Sequence, residues 1–152
     1  MPWAAFEPVS IHDRRNLIVG WERDLEAGGD LFLGIFLDGV AIGGCGLHRR
    51  IGPNALEIGY WIHADHTRHG FATEVSTALT DLAFTVDGIE RVEIHHDRAN
   101  VASGGVPRIL AFEFVGEQDK PITSPGEVGI DCTWSITTDG WAKLQTPGLD
   151  QE

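Results

Sequence analysis

The residue types that could support chemistry gather near the middle of the chain. Strand-forming residues from Leu56 to Ile62 are followed by a loop that contains Arg68 and Gly70, and a helical pattern begins at Phe71. The first N–H groups of a helix have no partner within it and carry the positive end of its dipole, so they bind phosphate well. Glycine lets the backbone approach such an anion. The pattern is typical of an anion-binding turn, although these residues alone also fit an ordinary turn.

A second strand-to-helix turn lies further along the chain. Residues Arg91 to His95 lead through Asn100 into a helical pattern from Val101 to Leu110, with Ser103 in its first turn. Asn is a preferred N-cap residue, so its position alone predicts that Asn100 caps this helix.

Together the two turns closely resemble the GNAT N-acetyltransferase superfamily. Within it, the resemblance is to the branch of ribosomal-protein N-terminal alanine and serine acetyltransferases. The motifs that carry it are Ile58-Gly59-Tyr60-Trp61-Ile62, Arg68-His69-Gly70-Phe71-Ala72-Thr73-Glu74, Arg91-Val92 with Asp97, Asn100 and Ser103, and Leu110-Ala111-Phe112. Three residues depart from the branch pattern. Thr67 replaces a Gln or Arg, Ala111 replaces a glycine at a left-handed helix end, and Pro107 is expected to break or shorten its helix.

The resemblance implies acetyl-CoA as cosubstrate and no metal. In the family, the strands that correspond to Leu56 to Ile62 and Arg91 to His95 splay apart, and the pantetheine arm of the cofactor lies between them. The residues implied in cofactor binding are Trp61, Ile62, His63 and Asn100 for the arm, and Arg68, His69, Gly70, Phe71, Ala72 and Thr73 for the pyrophosphate.

The reaction in this family is direct attack of a neutral amine on the thioester. It needs a base for the amine, a donor to the oxyanion and a proton for the thiolate. The resemblance implies Glu57 as the base, acting through water, and Ser103 as the proton donor, with a backbone N–H of the Glu57 strand at the oxyanion. A solvent-facing role for Glu57 and a surface role for Ser103 stay open, and His95 or His96 is the lesser alternative base.

Composition and net charge limit the classes of protein to which the chain could belong. The chain has 152 residues, 42% hydrophobic and 22% charged, which is an ordinary globular balance for one domain. No 18-residue apolar run and no signal-peptide pattern is found, so we expect a cytoplasmic protein without a membrane partner. The net charge of −12 argues against a nucleic-acid partner and is compatible with an amine substrate. We expect Cys45 and Cys132 to be reduced thiols.

The predicted order of elements is helix, three strands, helix, strand, helix, two strands. This order indicates a mixed α/β (α+β) fold, whose central sheet the resemblance makes mostly antiparallel, splayed and flanked by helices. The first helix is predicted from Ser10 to Gly28, with Leu17, Ile18, Trp21 and Leu25 on one face. A hairpin is predicted from Leu31 to Leu37 and Val40 to Leu47, with its turn at Asp38-Gly39. The second helix is predicted from Phe71 to Val86, a strand begins with Phe112 to Gly116, and the last strand runs from Gly126 to Thr137. We assign residues 1–145 to one GNAT-like domain and 146–152 to a flexible tail.

The leading functional hypothesis is an N-acetyltransferase that acts on a primary amine, either a protein N-terminus or a small molecule. From the resemblance, we expect the family's first strand and helix to be missing from the chain. This favours, as an alternative, a non-catalytic acyl-CoA-binding or sensing module, and a structural domain with an inert loop is the third reading. The spacing of His63, His66 and His69 does not place them on one face, so we do not expect a metal site. Many family members dimerise, and a homodimer is one state to test.

Overall fold

A computed structural model describes residues 10–146 of the chain. Four α-helices span Ile11–Glu26 (α1), Phe71–Ala83 (α2), Val101–Ile109 (α3) and Thr138–Gln145 (α4) within that range. Six strands span Leu31–Leu37 (β1), Val40–His48 (β2), Ala55–Ile62 (β3), Arg91–Asp97 (β4), Glu113–Asp119 (β5) and Ile130–Thr137 (β6). A short 3₁₀ helix, Ala64–His66, connects β3 to α2.

The six strands form one mixed sheet in the order β1-β2-β3-β4-β6-β5. Only the β3–β4 pair is parallel, and the other four pairs are antiparallel. The mixed α/β fold predicted from the sequence is therefore confirmed. The β1–β2 hairpin turns at Asp38 and Gly39, both with positive φ, as expected for a tight turn that matches the strand twist.

The parallel pair β3–β4 separates halfway along its length. Residues 55–58 pair with residues 91–94, and the ladder stops after Ile58 and Ile94. The ends of both strands continue, because β3 stays paired with β2 as far as Ile62, and β4 stays paired with β6 as far as Asp97. A wedge-shaped gap therefore opens between two strands that are each held on their outer side, which confirms the expected splay.

One face of the sheet packs against α2, α3 and α4 and forms the core. The alternation of side chains along each strand directs apolar residues to this face. Its buried cluster consists of Leu47, Leu56, Ile58, Leu79, Ala83, Ile89, Val92, Ile94, Val106, Phe112, Trp134, Ile136 and Trp141. Burial of each large member stabilises the fold by roughly 1.5–3 kcal/mol before entropy is subtracted.

The opposite face of the sheet, here called the open face, is contacted near β1 by α1. Trp21 of α1 stacks on Phe32 of β1 with ring centroids 4.4 Å apart. Ser10 caps the helix by accepting the N–H of Asp13, as the sequence predicts. The predicted apolar face is not buried, however, since no residue of α1 is buried and Leu17 is 52% exposed.

Several predicted boundaries are corrected by the structure. The last strand begins at Ile130 rather than Gly126, because Gly126 and Gly129 have φ of 87° and 77°, which turns the chain before β6. The second helix ends at Ala83, before the predicted Val86. Helix α3 runs through Pro107 and is not broken there. Ala111 follows it with φ 59°, the left-handed helix end that was expected at that position.

Helix α4 was missed in the sequence, where the strand prediction stopped at Thr137. Thr137 caps this helix by accepting the N–H of Gly140, and Trp141 is buried in the core. The indole N–H of Trp141 donates to Asp81 of α2 over 2.7 Å. The predicted tail lies almost wholly outside the described residues, and the domain limits stay a prediction. No helix within residues 10–146 is long and apolar enough to span a bilayer.

Candidate active site

The gap between β3 and β4 is lined by backbone groups. In an antiparallel ladder, hydrogen-bonded pairs alternate along the strand. The N–H of His63 donates to Ile42, so the backbone groups of His63 face β2. Because the direction alternates along the strand, the backbone groups of Trp61 also face β2, and those of Tyr60 and Ile62 face the gap. Of the three consecutive residues Trp61, Ile62 and His63 that were expected to hold the pantetheine arm, Ile62 has backbone groups facing the gap, and the other two face β2.

The same alternation applies on the other side of the gap. The N–H of Arg98 donates to Ile130, and the N–H of Thr138 donates to Glu90. These bonds show that the backbone N–H and C=O groups of the even-numbered residues of β4 face β6. His95 therefore directs its backbone groups into the gap, whereas the carbonyl of Asp97 is taken up by the N–H of Asn100 and by the ring of His96.

The start of α2 is uncapped and lies just after the end of β3. Its N-cap position is Gly70, with φ 80° and no side-chain hydrogen bond to the helix. A Cβ on Gly70 would meet nothing within 4 Å. Arg68 also has positive φ, 64°, so the turn bends sharply before the helix. Together with Phe71, Ala72 and Thr73, this turn presents amide groups and a cationic side chain to solvent, as an anion site requires.

The histidines and Thr67 around this turn mostly serve the local structure. His63 accepts the N–H of Asp65 and so begins the 3₁₀ helix. The ring of His69 lies 5.9 Å from that of Phe71. Thr67, at the position where relatives carry Gln or Arg, donates its hydroxyl to Ala64. Among residues 10–146, no three His, Cys, Asp or Glu side chains are grouped so that they could hold a metal ion.

The turn between β4 and α3 lies at the wide end of the gap, where β4 ends. Asn100 caps α3 by accepting the N–H of Ser103 over 3.2 Å, so the role predicted from its position is present. Asp97 holds this turn against the β5–β6 loop by accepting the N–H groups of Ala99, Val128 and Gly129. Although burial opposes it, this set of donors lowers the pKa of Asp97 to about 2.

Tyr60 connects β3 to the same turn from the helix-covered face. Its hydroxyl donates to the backbone carbonyl of Ser103 over 3.1 Å. Burial raises the pKa of Tyr60 to about 12, so the phenol stays protonated and remains a donor.

His96 is fully engaged by its neighbours. Its Nδ1 lies 2.9 Å from the carbonyl oxygen of Asp97 and must donate there. Its Nε2 accepts the indole N–H of Trp134 over 3.0 Å. A Cβ on Gly104 would lie 2.8 Å from this ring, so the glycine makes room for it. Because the one lone pair of the neutral ring is occupied, His96 is poorly suited to act as a base.

Glu57 lies on the open face, one residue before β3 leaves β4. The residue is buried, and both carboxylate oxygens accept hydrogen bonds from Arg50, at 2.7 and 2.6 Å. Burial works to raise the pKa of Glu57, but the hydrogen bonds and charge of Arg50, with His95 and His48, lower it below its ordinary value. The carboxylate is therefore ionised at neutral pH, and it is not the solvent-facing residue of the alternative interpretation.

His95 lies beside Glu57 on the open face, between two further carboxylates. Nε2 lies 2.7 Å from Glu93 and Nδ1 lies 2.8 Å from Asp131. Both ring nitrogens therefore donate, which only the imidazolium can do. Burial favours the neutral ring, yet the hydrogen bonds to Asp131 and Glu93 raise the pKa of His95 above its ordinary value. A ring that already carries both protons cannot accept another, so His95 is poorly suited to act as a base.

Beyond Glu57, the open face has a glycine floor, formed by Gly34, Gly44, Gly46 and Gly59 on three adjacent strands. The register aligns Gly34 with Gly44 and Gly46 with Gly59. Rings lie directly over three of these glycines. A Cβ would be 2.6 Å from the ring of Phe36 at Gly34, 2.6 Å from Trp61 at Gly44, and 2.8 Å from His48 at Gly59.

Several residues of this site were not predicted. Arg50, Glu93 and Asp131 surround the predicted Glu57 and His95, and Tyr60 reaches the predicted Ser103. The alternation of Glu57, Gly59 and Trp61 on one side of β3 could have pointed to the open face. The contact with Asp131 depends on the β4–β6 register, which the sequence does not reveal.

A comparison with protein families identifies the fold. A family model described as an acetyltransferase (GNAT) domain matches residues 1–113. The chain therefore belongs to the GNAT acetyltransferase family, a class of N-acetyltransferases. No curated protein matches the sequence.

Solved structures agree with this assignment. A probable acetyltransferase is 27% identical, with a TM-score of 0.79 over 90% of this chain and 78% of that one. RimJ from Mycobacterium smegmatis, solved with CoA-disulfide, is 22% identical with a TM-score of 0.76, over 86% of this chain and 63% of that one. MccE, a microcin C7 self immunity acetyltransferase solved with acetyl-CoA and AMP, is 22% identical with a TM-score of 0.78, over 90% of this chain and 76% of that one. At 22% identity, the last two likenesses establish the shared fold. The structural neighbours include ribosomal-protein N-terminal acetyltransferases, the branch recognised in the sequence.

Proposed function

We propose that this protein transfers the acetyl group of acetyl-CoA to an α-amino group, and that the cofactor lies across the β3–β4 gap. The observation that carries the proposal is the continuity of three features. Inward-facing backbone groups of Tyr60 and Ile62 lead to the uncapped start of α2, and the buried carboxylate of Glu57 lies at the narrow end of the gap. An extended amide-containing arm can pair with the free edge of β3 as an added strand would.

The starts of α2 and α3, which follow β3 and β4 at the wide end of the gap, would hold different parts of the cofactor. The N–H groups of Phe71, Ala72 and Thr73, with the Arg68 side chain, are suited to a pyrophosphate. Gly70 keeps the approach free of a side chain. Asn100 uses its carbonyl oxygen as a cap, which leaves its NH₂ group to donate to the arm.

Acetyl-CoA supplies the thioester, and the chain handles the protons. The amine nitrogen bonds to the acetyl carbon, the C–S bond breaks, and the amine proton passes through water to Glu57. Ser103, whose hydroxyl has no hydrogen bond within the described residues, donates a proton to the departing thiolate and is reprotonated from water, to which Glu57 returns the amine proton. A backbone N–H at the gap edge of β3 is suited to the oxyanion.

The state of Glu57 favours an α-amine as the acceptor. Because Arg50 lowers the pKa of this carboxyl, it is a weak base and cannot readily deprotonate a strongly basic ammonium. An α-amine with a pKa near 8 is about 9% neutral at pH 7, whereas a lysine amine near 10.4 is only about 0.04% neutral. The roughly 200-fold difference in reactive amine exceeds what such a base would recover.

Two measurements test the proposal. Isothermal titration with acetyl-CoA should show binding, and Gly70→Glu should abolish it because a carboxylate would enter the phosphate site. Gly88→Glu is the matched control, since Gly88 has φ 81° and equally open surroundings away from the gap. If both variants retained the wild-type affinity, the site would be misplaced.

Thiol release with amine acceptors tests the transfer step. Peptides with a free N-terminus should react faster than the same peptides with a blocked N-terminus and a free lysine. Glu57→Gln should lower kcat by roughly 100-fold. Binding without turnover on any acceptor would instead support the non-catalytic acyl-CoA-binding module. The homodimer, the lack of a nucleic-acid partner and the cytoplasmic location stay predictions.

A further inference from the structure

Helix α3 contains a proline at a position where the helix needs a donor. In the α-helical pattern, the carbonyl of residue 103 accepts the N–H of residue 107, but Pro107 has no N–H. The pyrrolidine ring also crowds the carbonyl four residues before it and turns that carbonyl away from the axis. Pro107 is almost fully buried, so water is not a convenient substitute.

The missing donor is supplied from across the gap. The Tyr60 hydroxyl donates to the Ser103 carbonyl over 3.1 Å, although the two residues are 43 positions apart in the chain. Tyr60 belongs to the part of β3 that no longer pairs with β4, and Ser103 belongs to the turn of α3 that follows β4. The bond therefore joins the two sides of the wedge where the backbone ladder has ended.

We propose that Tyr60 is a positioning residue, whose hydroxyl replaces the helix donor removed by Pro107 and holds the first turn of α3 at a fixed distance from β3. That turn contains Ser103 and the cap Asn100, which the proposed function places at the thiolate and the arm. The inference rests on the proposed function for its catalytic consequence. The structural coupling between Tyr60 and Pro107 is measurable without it.

A double-mutant cycle tests the coupling. Tyr60→Phe keeps the ring and removes the hydroxyl, which leaves a partly buried carbonyl without this donor. Pro107→Ala restores an N–H at residue 107, so the same carbonyl regains its helix partner. Tyr60→Phe should lower the thermal midpoint by about 3 °C in the natural background and by less than about 1 °C beside Pro107→Ala. Equal shifts in both backgrounds would overturn the proposal.

Kinetics separate positioning from a purely structural role. Tyr60→Phe should lower kcat about tenfold per folded molecule, while the KM for acetyl-CoA changes less than about threefold, since the phosphate site at α2 is untouched. Pro107→Ala should restore most of the lost kcat in the double variant. A coupled thermal shift with unchanged kcat would show a structural bond only and would refute the positioning role.

Hydrogen exchange covers the case in which Pro107→Ala does not fold. In Tyr60→Phe, the amides of residues 104–106 should exchange about tenfold faster, and those of α4 should not change. Unchanged exchange at residues 104–106 would overturn the proposal. If the wild type neither binds nor consumes acetyl-CoA, the proposed function fails, whereas the thermal cycle and the exchange still decide whether the Tyr60 bond does what is inferred.

Discussion

Replacing Arg50 by methionine tests how the charge of Glu57 is maintained. Arg50 donates two hydrogen bonds to this carboxylate, whose side chain is only 10% exposed. In Arg50→Met the apolar stem is kept and both donors are lost. Burial, the largest influence on Glu57, would then be opposed by His95 and His48 alone and would raise its pKa.

The size of the effect follows from the exposure of the two partners. Breaking a fully buried ion pair costs about 3–5 kcal/mol, whereas an exposed pair contributes at most about 1 kcal/mol. Arg50 is 61% exposed, so solvent screens the pair. We therefore expect a loss of roughly 2 kcal/mol at pH 7, which lies between these two limits, and a rise in the pKa of Glu57.

The sign of the pH dependence distinguishes this cause from a general loss of packing. In the wild type the lowered pKa of Glu57 means that its stabilisation is present above pH ~4.5 and is lost as the pH falls through the folded value. In the variant the raised pKa reverses the sign, because protonation relieves an unpaired buried charge. The stability deficit should be largest at pH 7 and should shrink as the pH falls towards 4.

Denaturant unfolding at several pH values between 4 and 7 is the assay. Arg49→Met is the matched control, since Arg49 is the exposed neighbour and its side chain makes no ion pair in the described structure. That variant removes the same charge and should lose less than about 0.5 kcal/mol at every pH. A deficit in Arg50→Met that is constant with pH, or no larger than that of Arg49→Met, would refute the reasoning.

Three further predictions concern the elements around the site. The carboxylate of Asp97 should stabilise the fold above pH ~3.8, and this stability should be lost as the pH falls towards its folded pKa of about 2. Asp97→Asn should remove this part of the pH dependence of unfolding, and an unchanged loss of stability at acidic pH would contradict the prediction. Ala111→Gly should raise the thermal midpoint by about 2–4 °C, as glycine relieves the strain at φ 59°; a lower midpoint would mean that Ala111 is not strained. Trp141→Ala should cost about 3–5 kcal/mol, and Trp141→Phe, which loses mainly the bond to Asp81, about 1–2 kcal/mol; near-equal costs would place the stability in that bond rather than in packing.

Local patterns were sufficient for most of the fold. Ser10 and Asn100 are good N-cap residues, and both cap the helices that were predicted after them. Asp38-Gly39 predicted the first hairpin, because this pair adopts positive φ readily. The left-handed end at Ala111 was predicted from the motif. These features depend on a few neighbouring residues, which the sequence displays directly.

Features that depend on distant pairing were not predictable from local sequence. Pro107 was expected to break or shorten its helix, but a hydroxyl from β3 satisfies the carbonyl that the proline leaves without a donor. Helix α4 was missed because Asp139-Gly140 resembles a turn, and Trp141 becomes helical by packing in the core. The cluster around His95 requires the β4–β6 register. The separation of β3 from β4 was predicted from the family resemblance, since no local sequence pattern shows where the hydrogen bonding between two strands ends.

The glycine floor has a consequence for mutational scanning. Gly34 is exposed and Gly44 and Gly59 are half-buried. Solvent exposure alone would therefore predict that substitution by alanine is tolerated at all three positions. The added methyl would instead fall within 3 Å of a ring, at a distance that real side chains do not adopt. At Gly59 the ring belongs to His48, which Asp30 fixes at 3.0 Å and which cannot swing aside freely. In a deep mutational scan, Gly59 should therefore tolerate substitution as poorly as a core residue does.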